Sequence, residues 1–453
     1  MTSNQRFNDK KIMTFTRPPS TLEPMAVESL LFAMKDSNRR TVDLINGLDE
    51  RDLIGPRKRI LSPPLWVLGH VAWLYDNYLL QRSNSRPSNI PEMGEFFDDR
   101  QVRHPDLWGL DFPTRGFLLN FFERVTDAVP AALGRGPLAS PESTFLCRMC
   151  IQREDMWGET LITQLQTLGL SPPKFIGNYK PKSAPLTTAD INIPGGVHSL
   201  GAVPEDCFYL DNEKWGHGYE VEPFSISPAA VNNGEFIAFV EDKGYDREEL
   251  WSKAGWSWRC HFQASMPIYW RLTADGWQQK RFDQWRPLNI YEPICHVNWF
   301  EADAWCRWAG RRLPWEGEWE IAASLSPHSR ERIRGPKKRY PWGDDLHEEP
   351  VANLDCIGAG PCAVSAFSAG DSAYGLRQMM GNVWEWTQSV LSDYPGFTPD
   401  AMEHWSKPFM DGAHPVLRGG SWVTRSRSVW NTFRHFCFLD RRDLFTGFRT
   451  CAL

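Results

Sequence analysis

The residue pattern of this chain changes at a stretch rich in Pro and Lys, residues 172–188, and this change limits the folds that the chain can adopt. Before this stretch, apolar residues recur at helical spacing. After it, glycines divide the chain into short pieces rich in aromatic residues. The first pattern is typical of amphipathic helices, and the second indicates an irregular domain dominated by loops. A length of 453 residues also exceeds what one small core holds, so we expect two domains.

Four helices are predicted in the first part, from about Pro24 to Leu170. The second begins near Pro63 and Pro64, because proline is tolerated in the first turn of a helix. The third covers Gly116 to Leu133. The fourth runs from about Ser143 to Leu168, where a glycine and a pair of prolines follow as a stop signal. Helices joined by one long loop, residues 83–113, indicate an antiparallel four-helix bundle.

The predicted division of the chain has four parts. They are a disordered tail over residues 1–20, the helical bundle over 21–172, a linker over 173–189 and a loop-rich α+β domain over 190–453. Within the last part, two helices are predicted, over Asn232–Glu241 and Trp299–Ala309.

Composition excludes several classes of function. The net charge is −6 and the pI is near 6.0, whereas a nucleic-acid-binding protein is typically basic, so this class is excluded. No window reaches the roughly 18 apolar residues of a membrane span, and the polar start is not a signal peptide. We therefore expect a cytoplasmic protein without membrane partners. Ten cysteines are too dilute for a disulfide scaffold, so they are expected to be reduced.

The second part carries an ordered set of phrases rich in Trp, Gly and Arg. They are His296–Ala302, Trp305–Pro314, Glu316–Glu320, Tyr340–Gly343, Gly381–Thr387, Arg418–Trp422 and Gly447–Arg449. Together, in this order, they resemble the domain of the formylglycine-generating enzymes, also called sulfatase-modifying factors. The resemblance spans residues from about 190 to the end and implies a C-type-lectin-like α+β fold.

A helical bundle in front of such a domain resembles the DinB-like bundle of the sulfoxide synthases, the family that makes ergothioneine and selenoneine. The phrases most similar to selenoneine synthase are Leu65–Trp73, Asp211–Trp215, Gly244–Trp251 and Gly447–Cys451. The resemblance implies iron(II) held by three histidines, one on the second helix and two on the fourth in an H-x-x-x-H-x-E pattern. It also implies an oxygen-dependent joining of a thiol or selenol donor to hercynine, the trimethylated betaine of histidine.

The iron ligands implied by the family are largely missing. His70 stands at the first position, but Arg153 and Trp157 stand where the fourth helix of the family carries its two histidines. A guanidinium stays protonated and an indole N–H only donates, so neither side chain binds iron. A lone histidine on an apolar helix face is also an ordinary core residue. We expect Arg153 to pair with an acidic neighbour and Trp157 to fill the space of the metal.

Other donors offer alternative metal sites. Cys147 and Cys150 form a C-x-x-C on the fourth helix, with Glu159 nearby, but no second such pair supports a zinc site. The formylglycine-generating enzymes bind copper through a cysteine pair. Cys437 and Cys451 could provide one here, although their surroundings follow the sulfoxide-synthase pattern.

The resemblance places the substrate between the two domains. Arg441 falls where a contact to the carboxylate of the donor substrate is implied, and Trp405 stands where the family has a tyrosine near the iron. The substrate-binding candidates are Arg434, Arg441, Arg442, Trp405, His435 and Trp422. The implied ligand is a small molecule, namely a hercynine-like betaine, a thiol or a selenosugar.

Three functions remain open at this point. The first is a synthase of selenoneine or ergothioneine type that forms C–Se or C–S bonds. The second is a non-catalytic or repurposed member of the family. It binds a betaine, a thiol or a protein partner in the cleft where the family holds its substrate. A tryptophan-rich cleft suits a trimethylammonium group through cation–π contact, so binding can survive the loss of chemistry. The third is an enzyme with metal-free chemistry, for which no motif is found.

Overall fold

The computed structural model describes residues 25–84, 92–134, 136–203, 208–325, 337–344, 347 and 349–453. The tail expected over residues 1–20 lies outside them. The described chain is α+β, as predicted: helices fill the region up to Leu168, and short strands, helices and loops follow. No helix of these residues is long and apolar enough to cross a membrane.

The described residues of the first part form six α-helices: α1 (Val27–Asn46), α2 (Pro64–Leu74), α3 (Gln81–Asn84), α4 (Glu92–Phe97), α5 (Arg115–Leu133) and α6 (Pro141–Leu168). A π-helical segment, Tyr75–Leu80, joins α2 to α3. Ser140 caps α6 by accepting the N–H of Ser143 at 3.1 Å, and Gly169 ends it with φ 67°. α1 packs against α6 and α2 against α5.

In the second part, the residues that the structure describes form four α-helices: α7 (Asn233–Glu241), α8 (Lys253–Phe262), α9 (Trp299–Trp308) and α10 (Glu316–Ser324). The predictions for α7 and α9 are confirmed almost to the residue. Each begins at an asparagine that forms a reciprocal capping box with a glutamate, Asn232 with Glu235 and Asn298 with Glu301. The other two helices were not predicted.

Within the described ranges, thirteen short strands form four small sheets. The strands are β1 (Ile191–Ile193), β2 (Gly196–Leu200), β3 (His217–Val221), β4 (Phe224–Ile226), β5 (Trp270–Thr273), β6 (Gly276–Arg281), β7 (Gln284–Pro287), β8 (Arg311–Arg312), β9 (Trp384–Val390), β10 (Pro415–Arg418), β11 (His435–Phe436), β12 (Thr446–Gly447) and β13 (Cys451–Ala452). The sheet that concerns the site has the order β11-β10-β9-β12, with β12 parallel to β9 and the other pairs antiparallel.

The segment predicted as a linker, residues 173–189, is attached to the second part by backbone hydrogen bonds. The N–H groups of Gly177, Tyr179 and Ala184 donate to the carbonyls of residues 356, 357 and 365 at 2.8, 2.9 and 3.0 Å. The segment therefore lies along the second part as an extended strap, although it holds almost no regular structure.

Ion pairs connect the helical part to the second part. Arg427 donates to Asp155 of α6 at 2.8 and 2.9 Å and to Asp36 of α1 at 2.8 Å. Asp155 also accepts the hydroxyl of Ser428 at 2.8 Å. Because these carboxylates are buried or half-buried, the contacts fix α6 against the loop that precedes β11.

Candidate functional site

His70 lies in a closed aromatic pocket on α2. Its neighbour Gly69 has no Cβ, and a Cβ there would overlap the ring of Phe97, so the two chain segments approach closely. The carbonyl of Phe97 consequently accepts the Nδ1–H of His70 at 2.7 Å, while Nε2 is buried without a hydrogen-bond partner. The imidazole stacks on Trp66 with ring centroids 4.5 Å apart. A histidine held this way presents one nitrogen lone pair to the space beside α6.

The three positions that the family implies for iron lie in one cluster together with Trp405. Arg153 and Trp157 are one turn apart on α6, and the indole of Trp157 lies 5.5 Å from the imidazole of His70, edge to face. The guanidinium of Arg153 lies 3.9 Å from the ring centroid of Trp405, which is itself 5.9 Å from His70. An indole and a guanidinium on an aromatic face therefore stand at the two remaining positions.

Arg153 is a half-buried cation. Burial lowers the pKa of Arg153 to about 10, and the distant Asp211 and Asp99 act against this shift, so the side chain stays charged at neutral pH. The expectation that it pairs with an acidic neighbour is wrong. Within the described residues no carboxylate lies at ion-pair distance from it, and Glu154 instead accepts the hydroxyls of Thr41 and Tyr75.

Asp99 is a site residue that sequence analysis missed. It lies in the long loop after α4, where it accepts the indole N–H of Trp405, and Nε2 of His404 is 3.2 Å from its Oδ1. Burial raises the pKa of Asp99, but the contacts with His404, His70 and Trp405 outweigh it and hold the pKa below its usual value. The ionised carboxylate therefore fixes the ring on which Arg153 lies.

These residues do not fit the three-histidine iron(II) centre that the family implies. The buried thiols of Cys147 and Cys150 have raised pKa values, and Cys150 Sγ contacts the Leu74 carbonyl at 3.7 Å. Across the described residues, no three His, Cys, Asp or Glu side chains are grouped to hold a metal ion. Near this place, His70 Nε2 is buried without a hydrogen-bond partner, and His404 Nε2 lies 3.2 Å from Asp99 Oδ1.

A cavity of about 420 Å³ opens beside Arg153 and Trp157, between the helical part and the second part. Its lining is rich in arginine and aromatic residues: Arg59, Ile60, Ser62, His104, Arg153, Met156, Trp157, Thr160, Leu210, Asn212, Trp405, Phe409, Phe433, Arg434, His435, Phe436, Cys437, Arg441 and Leu444. Its size lies within the range of small-molecule sites.

Four of the six substrate-binding candidates line this cavity, namely Arg434, Arg441, Trp405 and His435. Arg434 is almost fully buried and uses four of its five N–H donors on Glu316 and two backbone carbonyls. Arg441 makes a two-pronged pair with Asp443, with both distances 2.7 Å. Both arginines are therefore held by carboxylates of the protein itself.

Arg442 and Trp422 do not line the cavity. Arg442 donates to Glu301 and to the carbonyl of Met266, both at 2.7 Å, on the far side of the terminal loop. Trp422 is fully buried beside Phe445, at 5.2 Å between ring centroids. Resemblance to the family implied a shared site, but Trp422 lies in the core and Arg442 is held by Glu301.

His435 and Cys437 form the wall opposite α6. Burial, followed by the nearby Arg441 and Arg153, lowers the pKa of His435 to about 4, so its imidazole is neutral at physiological pH. Burial raises the pKa of Cys437 to about 12, which keeps its thiol protonated. Cys437 and Cys451 are both unpaired, and they belong to different hydrophobic clusters.

Comparison with known proteins agrees with this architecture. The family described as Sulfatase-modifying factor enzyme 1-like domain matches residues 177–452. A hercynine oxygenase of Mycolicibacterium thermoresistibile is 34% identical, over 91% of this chain and 92% of the relative. A hercynine oxygenase of Mycobacterium tuberculosis is 32% identical, over 93% of this chain and 98% of the relative.

Relatives from the wider group match a smaller share of the chain. The formylglycine-generating enzyme of Thermomonospora curvata is 30% identical over 60% of this chain and 96% of its own length. The hercynine oxygenases, by contrast, extend through the helical part as well. This chain therefore belongs to the hercynine oxygenase family, the sulfoxide synthases of the ergothioneine pathway, and carries a sulfatase-modifying factor domain of C-type-lectin-like fold.

Proposed function

We propose that this chain binds a hercynine-type betaine in the 420 Å³ cavity and does not carry out the iron- and oxygen-dependent chemistry of its relatives. The observation that carries this proposal is the pair Arg153 and Trp157, which face His70 where two metal ligands would be needed. The chemistry of these side chains, which offer no lone pair to a cation, supports it.

Charge opposes a metal at this place as much as the missing ligands do. A fixed guanidinium and a divalent cation about 4 Å apart repel by several kcal/mol at an effective dielectric of about 20. His70 alone supplies a single nitrogen, and a non-heme iron oxygenase site needs two further ligands on one face of the metal. The position is consequently suited to an anionic or neutral group of a ligand.

The cavity offers partners for both ends of a betaine. Trp157, Phe409, Phe433 and Phe436 line it, and aromatic side chains attract a trimethylammonium group. Arginine side chains line the same space and suit a carboxylate. The substrate class of the relatives, as their names give it, therefore agrees with the lining of this cavity.

The proposal includes two more specific assignments, one for the second ligand and one for the domain division. The phrases Leu65–Trp73 and Asp211–Trp215 resemble selenoneine synthase, and this favours a selenium or sulfur compound as the second ligand. The packing of α1, α2, α5 and α6 supports a DinB-like bundle over residues 21–172, followed by the second domain from residue 190.

A second candidate is an oxygenase with displaced metal ligands. It is favoured by His70 Nε2, which is buried without a hydrogen-bond partner, and by the neighbouring pair of His404 Nε2 and Asp99 Oδ1, which are 3.2 Å apart. Two histidines and one carboxylate are a known ligand set for non-heme iron. Because the described side chains are not grouped to hold a metal, this candidate requires them to rearrange.

Calorimetry and a product assay together test the proposed function. The purified protein is titrated with hercynine and is separately incubated with iron(II), oxygen, hercynine and a thio- or selenosugar, with products followed by mass spectrometry. We expect hercynine to bind without formation of a sulfoxide or selenoneine. Turnover by the unaltered protein would contradict the proposal, and so would the absence of hercynine binding.

A further inference from the structure

The four arginines of the cavity differ in their partners. Three of them are paired with carboxylates: Arg59 with Asp440 at 2.5 Å, Arg434 with Glu316 at 2.8 Å and Arg441 with Asp443 at 2.7 Å. Arg153 has no such partner within the described part of the chain. A half-buried cation without a counter-ion is costly, so an unpaired arginine in a cavity indicates a ligand that supplies the negative charge.

The rest of the lining does not neutralise this charge. The lining residues that the structure describes include no Asp or Glu. His435 stands opposite Arg153 and is neutral, because burial lowers its pKa to about 4. The other three arginines contact their own carboxylates, whereas Arg153 contacts none in the described lining, and Asp211, Asp99 and Asp400 act on it only from a distance.

The guanidinium of Arg153 is held in place but keeps free donors. Its plane lies over Trp405, and Asp99 fixes that indole through the ring N–H. Nη1 contacts only the sulfur of Met156 at 3.6 Å, and Nη2 makes no hydrogen bond to any residue that the structure describes. A rigid guanidinium with open N–H groups is suited to a planar carboxylate, which it can bind with two parallel hydrogen bonds.

We infer that Arg153 is the anchor for the carboxylate of the ligand, so that the place of a metal ligand in the family has become an anion site in this chain. This inference rests on the proposed function and refines it. The ligand is a small carboxylate whose apolar or trimethylammonium body lies against the aromatic wall, with its carboxylate directed at α6. Arg441, the anchor implied by the family, is occupied by Asp443.

Two pairs of probes test this inference by calorimetry on the full chain. Each pair compares a carboxylate with its carboxamide: hercynine with hercynine amide, and indole-3-acetate with indole-3-acetamide. The unaltered protein should bind the carboxylate of at least one pair about 10- to 100-fold more tightly than the amide. Arg153→Gln should lose this preference, and Arg153→Lys should keep part of it because the charge remains without the planar fork.

A matched control removes an arginine elsewhere. Arg307 is exposed on α9 and pairs with Asp303 at 3.1 Å, so Arg307→Gln changes the net charge equally and should keep the preference. Thermal melting checks that each variant is folded. An Arg153→Gln protein that still prefers carboxylates would overturn the inference, as would a wild type that binds neither carboxylate. If indole-3-acetate binds through Arg153 and hercynine does not, the anion site stands and the proposed substrate class fails.

Discussion

The carboxylate of Glu159 on α6 accepts the indole N–H of Trp384 on β9 at 2.7 Å and so joins the two parts of the chain. The hydroxyls of Ser421 and Thr424 donate to the same carboxylate at 2.9 and 2.7 Å. With these three donors, Glu159 is a half-buried carboxylate whose two oxygens both accept hydrogen bonds. Glu159 therefore connects the two parts of the chain, whereas the sequence analysis considered it as a possible metal donor.

Replacing Glu159 by Ala should destabilise the protein. Three buried donors would lose their acceptor, and one unsatisfied buried group alone costs about 1–3 kcal/mol. We expect a loss of at least about 2 kcal/mol in the free energy of unfolding, measured by denaturant titration. Glu123→Ala on the exposed face of α5 is the control and should change stability by less than about 0.5 kcal/mol. Equal stability of the two variants would disprove the role of Glu159.

Local signals in the sequence account for the parts of the fold that were predicted well. Asn232 and Asn298 mark the starts of α7 and α9 in the sequence. A helix cap joins residues only three positions apart, so it leaves a local signal. α10 was missed because its N-cap is Trp315, whose side chain is not a customary cap. The strap over residues 173–189 was interpreted as a free linker because its hydrogen bonds are to residues far along the chain.

The site was predictable only in part, for the same reason. Resemblance to the family placed His70, Arg153 and Trp157 together; the rings of His70 and Trp157 are in contact, and Arg153 lies on Trp405 beside them. The roles of Asp99 and Arg434 could not, because their partners Trp405 and Glu316 are more than 100 residues away in the chain. Long-range pairs of this kind leave no periodic or local signal.

The buried carboxyl of Glu154 should make stability depend on pH. Burial raises the pKa of Glu154 to about 8, although the hydroxyls of Thr41 and Tyr75 act against this shift. A raised pKa in the folded state means that the stabilising contribution is complete below the unfolded value of 4.5 and is lost as pH rises through about 8. The decline is at most about 1.4 kcal/mol per pH unit.

Glu154→Gln tests this dependence, because an amide does not ionise. Melting temperatures at several pH values between about 5 and 9 should fall less steeply for the variant than for the unaltered protein. Glu123→Gln, on the exposed face of α5, serves as the control and should follow the unaltered protein. Parallel curves for Glu154→Gln and the unaltered protein would contradict the assignment.

Asp99 should affect ligand binding through Trp405. Asp99→Asn keeps an acceptor for the indole N–H but removes the charge, which costs about 1 kcal/mol for such a hydrogen bond. We expect affinity for hercynine or indole-3-acetate to fall about fivefold by calorimetry, since Arg153 lies on this ring. Asp106→Asn, at an exposed pair with Arg103, should have no effect. Unchanged affinity in Asp99→Asn would show that the ring needs no such support.

The double variant Arg153→His and Trp157→His should gain iron binding. The two histidines would be at positions i and i+4 of α6, facing His70, so that three imidazoles could share one metal. Arg153→Ala with Trp157→Ala removes the same cation and indole without adding ligands, and it should hold no more iron than the unaltered protein. If both double variants bind iron equally, the imidazoles are not its ligands.

Iron content after anaerobic reconstitution with iron(II) and desalting tests the central claim most directly. We expect at most trace iron in the unaltered chain, because Arg153 and Trp157 leave His70 as the one imidazole of the three family positions. Near-stoichiometric iron in the unaltered chain would contradict this account. In that case, loss of the iron in His404→Ala would assign it to the displaced set of His70, Asp99 and His404.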